Sequence, residues 1–279
     1  RFVALSRAYE RRLGRVLDGH ICVTRAMAAW LAQEWGIDAR VLHDRPPAEF
    51  RRLGLDERHA LFRRLRANFC RPDGTALFDD ATWSNGATPW TTIDASTGAA
   101  TPRAHAPRLV VSSTSWGGDE DFHMLLDALV ALEAALPADD ARAEPLVVVA
   151  ITGRGPLRGS FEARAATLRL SRVAVTTMWL AREDYPYILG SADLGVSMHT
   201  STSGLDLPMK VLDMFGSGLP VCAHNFACLD ELVVQGSNGL VFDSAEQLAE
   251  QLEAHLAPTA AAARSLAALR EGLLASEEF

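Results

Sequence analysis

A chain of 279 residues with 48% hydrophobic content can bury a full core, with room for one large domain and part of another. It holds no run of about 18 apolar residues, so no segment is expected to span a bilayer, and four scattered cysteines without a Cys-x2-Cys pair point to reduced thiols in a cytosolic setting rather than to zinc or disulfides. The net charge of −8 is uneven: residues 1–71 carry 15 arginines against 8 acids and residues 72–279 carry 12 bases against 27 acids, which disfavours a general nucleic-acid binder and leaves a membrane-facing or anion-facing edge at the front.

Residues 1–16 read as a basic amphipathic helix, 19–24 as a short buried strand, 25–35 as a helix ended by Gly36, and 39–43 as a second strand. Two strands are too few for an independent parallel sheet. Residues 1–45 are therefore expected to be the C-terminal part of a Rossmann-like N-terminal domain, with Asp44-Arg45-Pro46-Pro47 as hinge. Residues 50–69 read as a second arginine-rich helix, with Leu53, Leu61, Phe62, Leu65 and Phe69 set against Arg51, Arg52, Arg58, Arg63, Arg64 and Arg66. Such a stripe is either a solvated helix face or one that lies on an anionic membrane. Residues 71–107 lack any sustained period and predict a mobile loop, pinned at Trp83 and Trp90.

From residue 108 onward the pattern turns regular. Strands are predicted over 109–112, 146–151, 172–178, 192–198, 220–223 and 240–242, alternating with helices over 122–136, 156–169, 182–189, 208–217, 229–235 and 245–256. Alternation of this kind means a doubly wound parallel sheet, whose ligands bind beyond the carboxyl ends of the strands.

Those ends carry the chemistry. Ser115 follows the first strand, Gly153-Arg154-Gly155 the second, Trp179-Leu180 the third, and His199 with the Ser203-Gly204 loop the fourth. Lys210 is the only lysine in the chain, and it stands just inside a helix that begins at Pro208 after a Ser/Gly loop. Free N–H groups and the positive dipole end make such a start an anion site, to which Lys210 adds a full charge. Asp213, one turn on, is an acceptor suited to a ribose hydroxyl. The two residues read as a nucleoside diphosphate site or, alternatively, as an ordinary surface ion pair.

Gly153 and Gly155 would let backbone approach a phosphate, and Arg154 between them would make a bidentate contact. The fingerprint G-x-G-x-x-G is absent because Arg158 takes the third position, which argues against NAD. His199 and His224 read as packing residues, and Asp119-Glu120-Asp121 as a helix cap rather than a metal cluster.

These residues resemble the chitobiosyldiphosphodolichol β-mannosyltransferases. The likeness rests on VSSTSW at 111–116 with DEDF at 119–122, on ITGRGPL at 151–157, on WL at 179–180 with EDYP at 183–186, and on LGSADLG at 189–195. Its longest block is HTSTSGLDLPMKVLDMFG at 199–216, continued by LPVCA at 219–223, Asn225-Phe226 and Glu231-Leu232. It covers nearly all of 9–256 and is weakest over 71–107.

The resemblance implies a GT-B type α/β glycosyltransferase. Its donor-nucleotide-binding Rossmann-like domain would be 108–279, preceded by the tail of a second such domain over 1–45 and by a hinge, basic helix and mobile loop over 46–107. It implies transfer of mannose from GDP-mannose, with inversion and a β-1,4 linkage, to dolichol-linked diphosphate chitobiose at the cytosolic face of the endoplasmic reticulum membrane. No cofactor or metal is implied; the membrane surface and other glycosyltransferases of the same pathway are the implied partners. Arg154 and Lys210 would stabilise the departing GDP. Trp179 and Leu180 would contact the base and Asp213 the ribose, with Ser115, Gly153, Gly155, Ser203 and Gly204 completing the donor site. Family members have a complete N-terminal domain, so this chain is expected to be a fragment that binds donor without turning over. The alternatives are another sugar-nucleotide-dependent GT-B transferase and a catalytically silent donor-binding lobe.

Overall fold

The computed structural model describes residues 2–138, 144–201 and 203–276. Helix α1 (Phe2–Gly14) leads into strand β1 (Ile21–Cys22), helix α2 (Arg25–Trp30) and strand β2 (Arg40–Val41); Arg1 of the expected first helix lies outside the described residues. Thr24 caps α2 by accepting the Met27 N–H at 3.0 Å, and a π-helical turn over Leu31–Trp35 ends at Gly36, whose φ of 66° is easy only without a Cβ. Strands β1 and β2 pair in parallel as a sheet of their own, with Ile21 and Leu42 exposed.

Residues 50–107 differ from expectation. The helix is shorter, α3 (Leu55–Arg64), and the stretch expected as a mobile loop is folded: 3-10 turns at Arg66–Asn68 and Ala81–Gly86 precede a hairpin of β3 (Thr91–Ile93) and β4 (Ala100–Pro102). Aromatic packing orders it. Trp90 is 3% exposed and stacks on Phe62 with centroids 4.3 Å apart, and Phe69, Phe78 and Trp83 close around it. Composition alone reads as loop here because a few large rings, rather than a periodic pattern, bury the surface.

The arginine stripe is largely engaged within the chain. Arg51 pairs with Glu57, Arg66 with Asp80 and Arg64 with Asp184, while Arg52 donates to the Ala192 carbonyl at 2.7 Å. Three of these four side chains, Arg51, Arg64 and Arg66, stay about half-exposed while paired, so the stripe is a solvent-exposed face tied within the chain.

The main sheet is built from β5 (Arg108–Thr114), β6 (Val147–Gly153), β7 (Val173–Met178), β8 (Leu194–Ser197), β9 (Val221–His224) and β10 (Gly239–Phe242). Its helices are α4 (Phe122–Ala135), α5 (Arg158–Thr167), α6 (Asp184–Ser191), α7 (Met209–Gly216), α8 (Ala245–Leu256) and α9 (Ala260–Ala275). The sheet order is β10-β9-β8-β5-β6-β7, every pair parallel, so the direction of winding reverses between β5 and β8. Near-continuous apolar strands fit a sheet covered on both faces. Leu109, Val111, Val148 and Ala150 face α3, α6, α7 and the aromatic cluster; Val110, Val147, Val149 and Ile151 face α4, α5, α8 and α9.

One helix expectation is corrected and one helix is added. Residues 229–235 give only a 3-10 turn at Leu229–Glu231, since β-branched Val233 and Val234 and left-handed Gly236 follow at once. Helix α9, not anticipated, starts from a Thr259 cap that accepts the Ala262 N–H at 3.1 Å and buries Leu266, Leu269 and Leu273.

Candidate functional site

At the carboxyl ends of β5, β6 and β7, beside the reversal point, lies a cleft of about 370 Å³ lined by Thr114, Gly153, Trp179, Arg182, Tyr185 and Lys210, with Ser113, Thr152 and Leu180. Of the donor residues named from the sequence, Gly153, Trp179, Leu180 and Lys210 meet in this one wall. Helix α7 delivers Lys210: Pro208, whose ring offers no side-chain acceptor, caps it, and its carbonyl takes the Val211 N–H at 2.9 Å.

Lys210 does not pair with Asp213. Its Nζ lies 2.7 Å from Oε1 of Glu120, a carboxylate whose side chain is 1% exposed. The other oxygen of Glu120 accepts the Thr114 hydroxyl and, at 3.2 Å, the Ser115 N–H. Glu120 therefore joins the end of β5 to the start of α7 and fixes the ammonium at the cleft. The acidic cluster thus divides its work. Only Asp121 caps α4, accepting the N–H groups of His123 and Met124; Asp119 lies 3.6 Å from Nδ1 of His199.

Asp213 stands behind Tyr185. The Tyr185 hydroxyl lies 3.3 Å from Asp213 Oδ2 and 3.2 Å from Ser113 Oγ, and Tyr185, not Asp213, forms the cleft wall. Burial pushes the Asp213 carboxyl up to about 6, opposed by the Tyr185 hydrogen bond and assisted by the charge of Glu49. Burial also raises the Tyr185 phenol well above its usual range, so it remains a donor.

The two glycines have a packing reason. A Cβ on Gly153 would lie 1.9 Å from the Thr114 carbonyl oxygen, and one on Gly155 would lie 1.9 Å from that of Ser115. The end of β5 thus packs against both glycines, and Gly153 also lines the cleft. Arg154 is exposed and reaches back over the Trp179 ring, 5.4 Å from its centroid; Arg182 is the arginine that lines the cleft. Sequence reasoning missed Arg182, although it follows Trp179 by only three residues.

Ser203 and Gly204 are not brought to this wall. Asp206 ties their loop, accepting from Ser201 and, at 2.7 Å, from Ser203, while the Gly204 N–H donates to Ser201 Oγ at 2.8 Å; Thr202 lies outside the described residues. The loop faces the first lobe, where Thr24 Oγ1 donates to the Leu205 carbonyl at 2.5 Å. Beside it Glu231 accepts the N–H groups of Arg25 at 2.6 Å and Ala26 at 2.8 Å, with His43 Nε2 at 3.3 Å. Against a burial penalty that would raise it, those donors hold the Glu231 carboxyl below its usual range. His224 packs against the Phe242 ring, and burial lowers its pKa, so it is a neutral packing residue at pH 7.

The family described as glycosyl transferases group 1 matches residues 107–257. Over 90% of its length the chain is 45% identical to the UDP-glycosyltransferase TURAN of Arabidopsis thaliana and 45% identical to the human chitobiosyldiphosphodolichol beta-mannosyltransferase. It spans 56% and 53% of those two proteins, about half the length of the relatives it matches. Among solved structures, Anabaena HepE in complex with UDP matches 95% of this chain and 61% of its own with a TM-score of 0.62 at 17% identity, and a Rickettsia africae glycosyltransferase matches 95% and 62% with a TM-score of 0.59 at 13% identity. At such identities the structures speak for the GT-B fold alone. Together with the six-stranded parallel sheet, the match over 107–257 shows that the chain belongs to glycosyl transferases group 1.

Proposed function

We propose that this chain is the donor-binding half of a mannosyltransferase that moves mannose from GDP-mannose, with inversion, onto dolichol-linked diphosphate chitobiose. The observation that carries the reading is the Lys210 ammonium, held by buried Glu120 at the mouth of the reversal-point cleft, with Arg182 in the same wall. A fixed cation there meets negative charge as it grows on the departing diphosphate and needs no reorganisation to do so. Trp179, 57% exposed, offers a flat apolar face for a base, braced from behind by Arg154. We assign the acceptor site to the part of the relatives' length that this chain does not span. Residues 1–45 are read as the tail of that first domain, which accounts for a two-stranded sheet with Ile21 and Leu42 exposed.

The relatives' names divide over the donor, one being a UDP-glycosyltransferase and the other a mannosyltransferase. Calorimetry on this chain is expected to rank GDP and GDP-mannose above UDP, UDP-glucose and NAD; tighter binding of either UDP ligand or of NAD would overturn the proposal.

Membrane contact falls to α1. Leu5, Tyr9 and Leu13 recur every four residues and are exposed, with Arg11 and Arg12 in the last turn. Association with anionic vesicles is expected to be weakened by salt and by Arg11→Ala with Arg12→Ala, but not by Arg66→Ala, whose side chain is already paired with Asp80. Equal co-sedimentation of wild type and the α1 double variant would remove this part of the reading.

A further inference from the structure

A second cavity, of about 400 Å³, lies at the opposite edge of the main sheet. Arg108 lines it at the start of β5, Leu146 just ahead of β6 and Asp193 just ahead of β8, so the length of the strands separates it from the Lys210 cleft. Arg58 of α3 and Arg103, next after β4, complete a wall of three guanidinium groups.

The donors in this wall outnumber their acceptors. Among the described residues, Arg58 Nε and Arg103 Nη1 are buried with no hydrogen-bond partner, and so is the indole Nε1 of Trp90, whose ring also lines the cavity and is 3% exposed. All three orphan atoms are donors, and a buried donor without an acceptor is costly. Charge is out of balance in the same sense. Arg52, Arg58, Arg103, Arg108 and Arg270 gather here around Asp193 and Glu144, which lie 3.8 Å from Arg108 and 2.9 Å from Arg103. Asp193 is further occupied by the Leu109 N–H at 2.9 Å. Burial lowers the Arg58 and Arg270 guanidiniums, and burial with the charges of Arg270 and Arg58 lowers Arg52 to about 10. Among the described residues, these five guanidiniums outnumber the two carboxylates they gather around.

We propose that this cavity is a phosphate-binding site, in which Arg58, Arg103 and the Trp90 N–H hold the phosphate group of a monoester or of inorganic phosphate. A guanidinium fork matches two phosphate oxygens, and the indole N–H supplies a third donor. The volume exceeds what a bare phosphate fills and leaves room for a small esterified body. The site shares no lining residue with the Lys210 cleft, so it stands whichever nucleotide that cleft takes.

The test is calorimetry and thermal melting of the full chain with inorganic phosphate, at ionic strength matched with chloride. The expected result is saturable binding that chloride does not mimic, that Lys210→Ala retains, and that Arg103→Gln and Trp90→Phe each weaken about fivefold or more. Arg58→Met is expected to abolish the response; should it fail to fold, Arg103, whose side chain is 30% exposed, carries the test. Unchanged phosphate affinity in Arg103→Gln, or a response that Lys210→Ala alone abolishes, overturns the proposal. Vesicles with phosphatidic acid separate the sources of the phosphate: binding lost in Arg103→Gln assigns it to a lipid headgroup, and binding indifferent to Arg103 assigns it to the free ion or ester.

Discussion

Lys210→Ala is expected to weaken GDP about ten- to a hundredfold and also to lower stability by about 3 kcal/mol. The first effect is the loss of a charge-assisted contact to the diphosphate. The second comes from Glu120, whose carboxylate is 1% exposed and, among the described residues, would keep only the Thr114 hydroxyl and the Ser115 N–H as partners. An exposed ion pair with Asp213 would have left stability nearly unchanged, but the ammonium lies on Glu120. Stability and binding can therefore be separated by a double variant. Glu120→Gln with Lys210→Met removes both charges, so melting should recover most of the lost stability while GDP affinity stays low. Lys210→Arg should recover part of the affinity at most, because a planar fork does not reproduce a compact ammonium over the buried acid. An unchanged GDP dissociation constant in Lys210→Ala would show that the diphosphate lies elsewhere.

What the sequence made legible follows from the range of the interactions involved. Alternating apolar runs and turns are local, and they located the six strands and the cleft side of the sheet; the only lysine and the Trp179-Leu180 pair stand at that cleft. Partners distant in the chain were out of reach. Glu120 is 90 positions from Lys210, and Glu231 is 206 positions from Arg25, whose N–H it accepts. No spacing rule connects such residues, and Asp119, Glu120 and Asp121 look alike as caps because all three precede a helix. The packing role of Gly153 and Gly155 is equally out of reach, because the carbonyls that forbid a Cβ belong to Thr114 at the end of the neighbouring strand and to Ser115 just after it. The folded segment 71–107 escaped for another reason: its order rests on Trp90 against Phe62, Phe69 and Phe78, a cluster without period.

Asp213→Asn is expected to move stability and nucleotide affinity in opposite directions. The Asp213 carboxyl sits near 6 rather than at its ordinary 3.8, chiefly because of burial, with Glu49 adding repulsion and the Tyr185 hydroxyl opposing both. Below the ordinary value the folded and unfolded chains both hold this proton. Between about pH 4 and pH 6 the unfolded chain has released it and the folded chain has not, so stability falls as pH rises through that window and stays lower above it. Asparagine removes the cost. After discounting for partial solvent screening, the variant should gain about 1 kcal/mol at pH 7 and lose this component of the pH dependence of melting. A carboxylate that burial disfavours costs stability, and contact with a ribose hydroxyl, made directly or through Tyr185, is the use proposed for it. GDP should then bind wild type more weakly as pH falls below 6, and Asp213→Asn about tenfold more weakly than wild type at pH 7. Inorganic diphosphate, which has no ribose, should bind both proteins alike. Tyr185→Phe distinguishes the two routes, since a direct ribose contact survives loss of the phenol whereas a relayed one falls to the level of Asp213→Asn. Equal loss of GDP and diphosphate affinity in Asp213→Asn would place Asp213 with the phosphates instead, and unchanged GDP affinity would leave its burial unexplained by nucleotide binding.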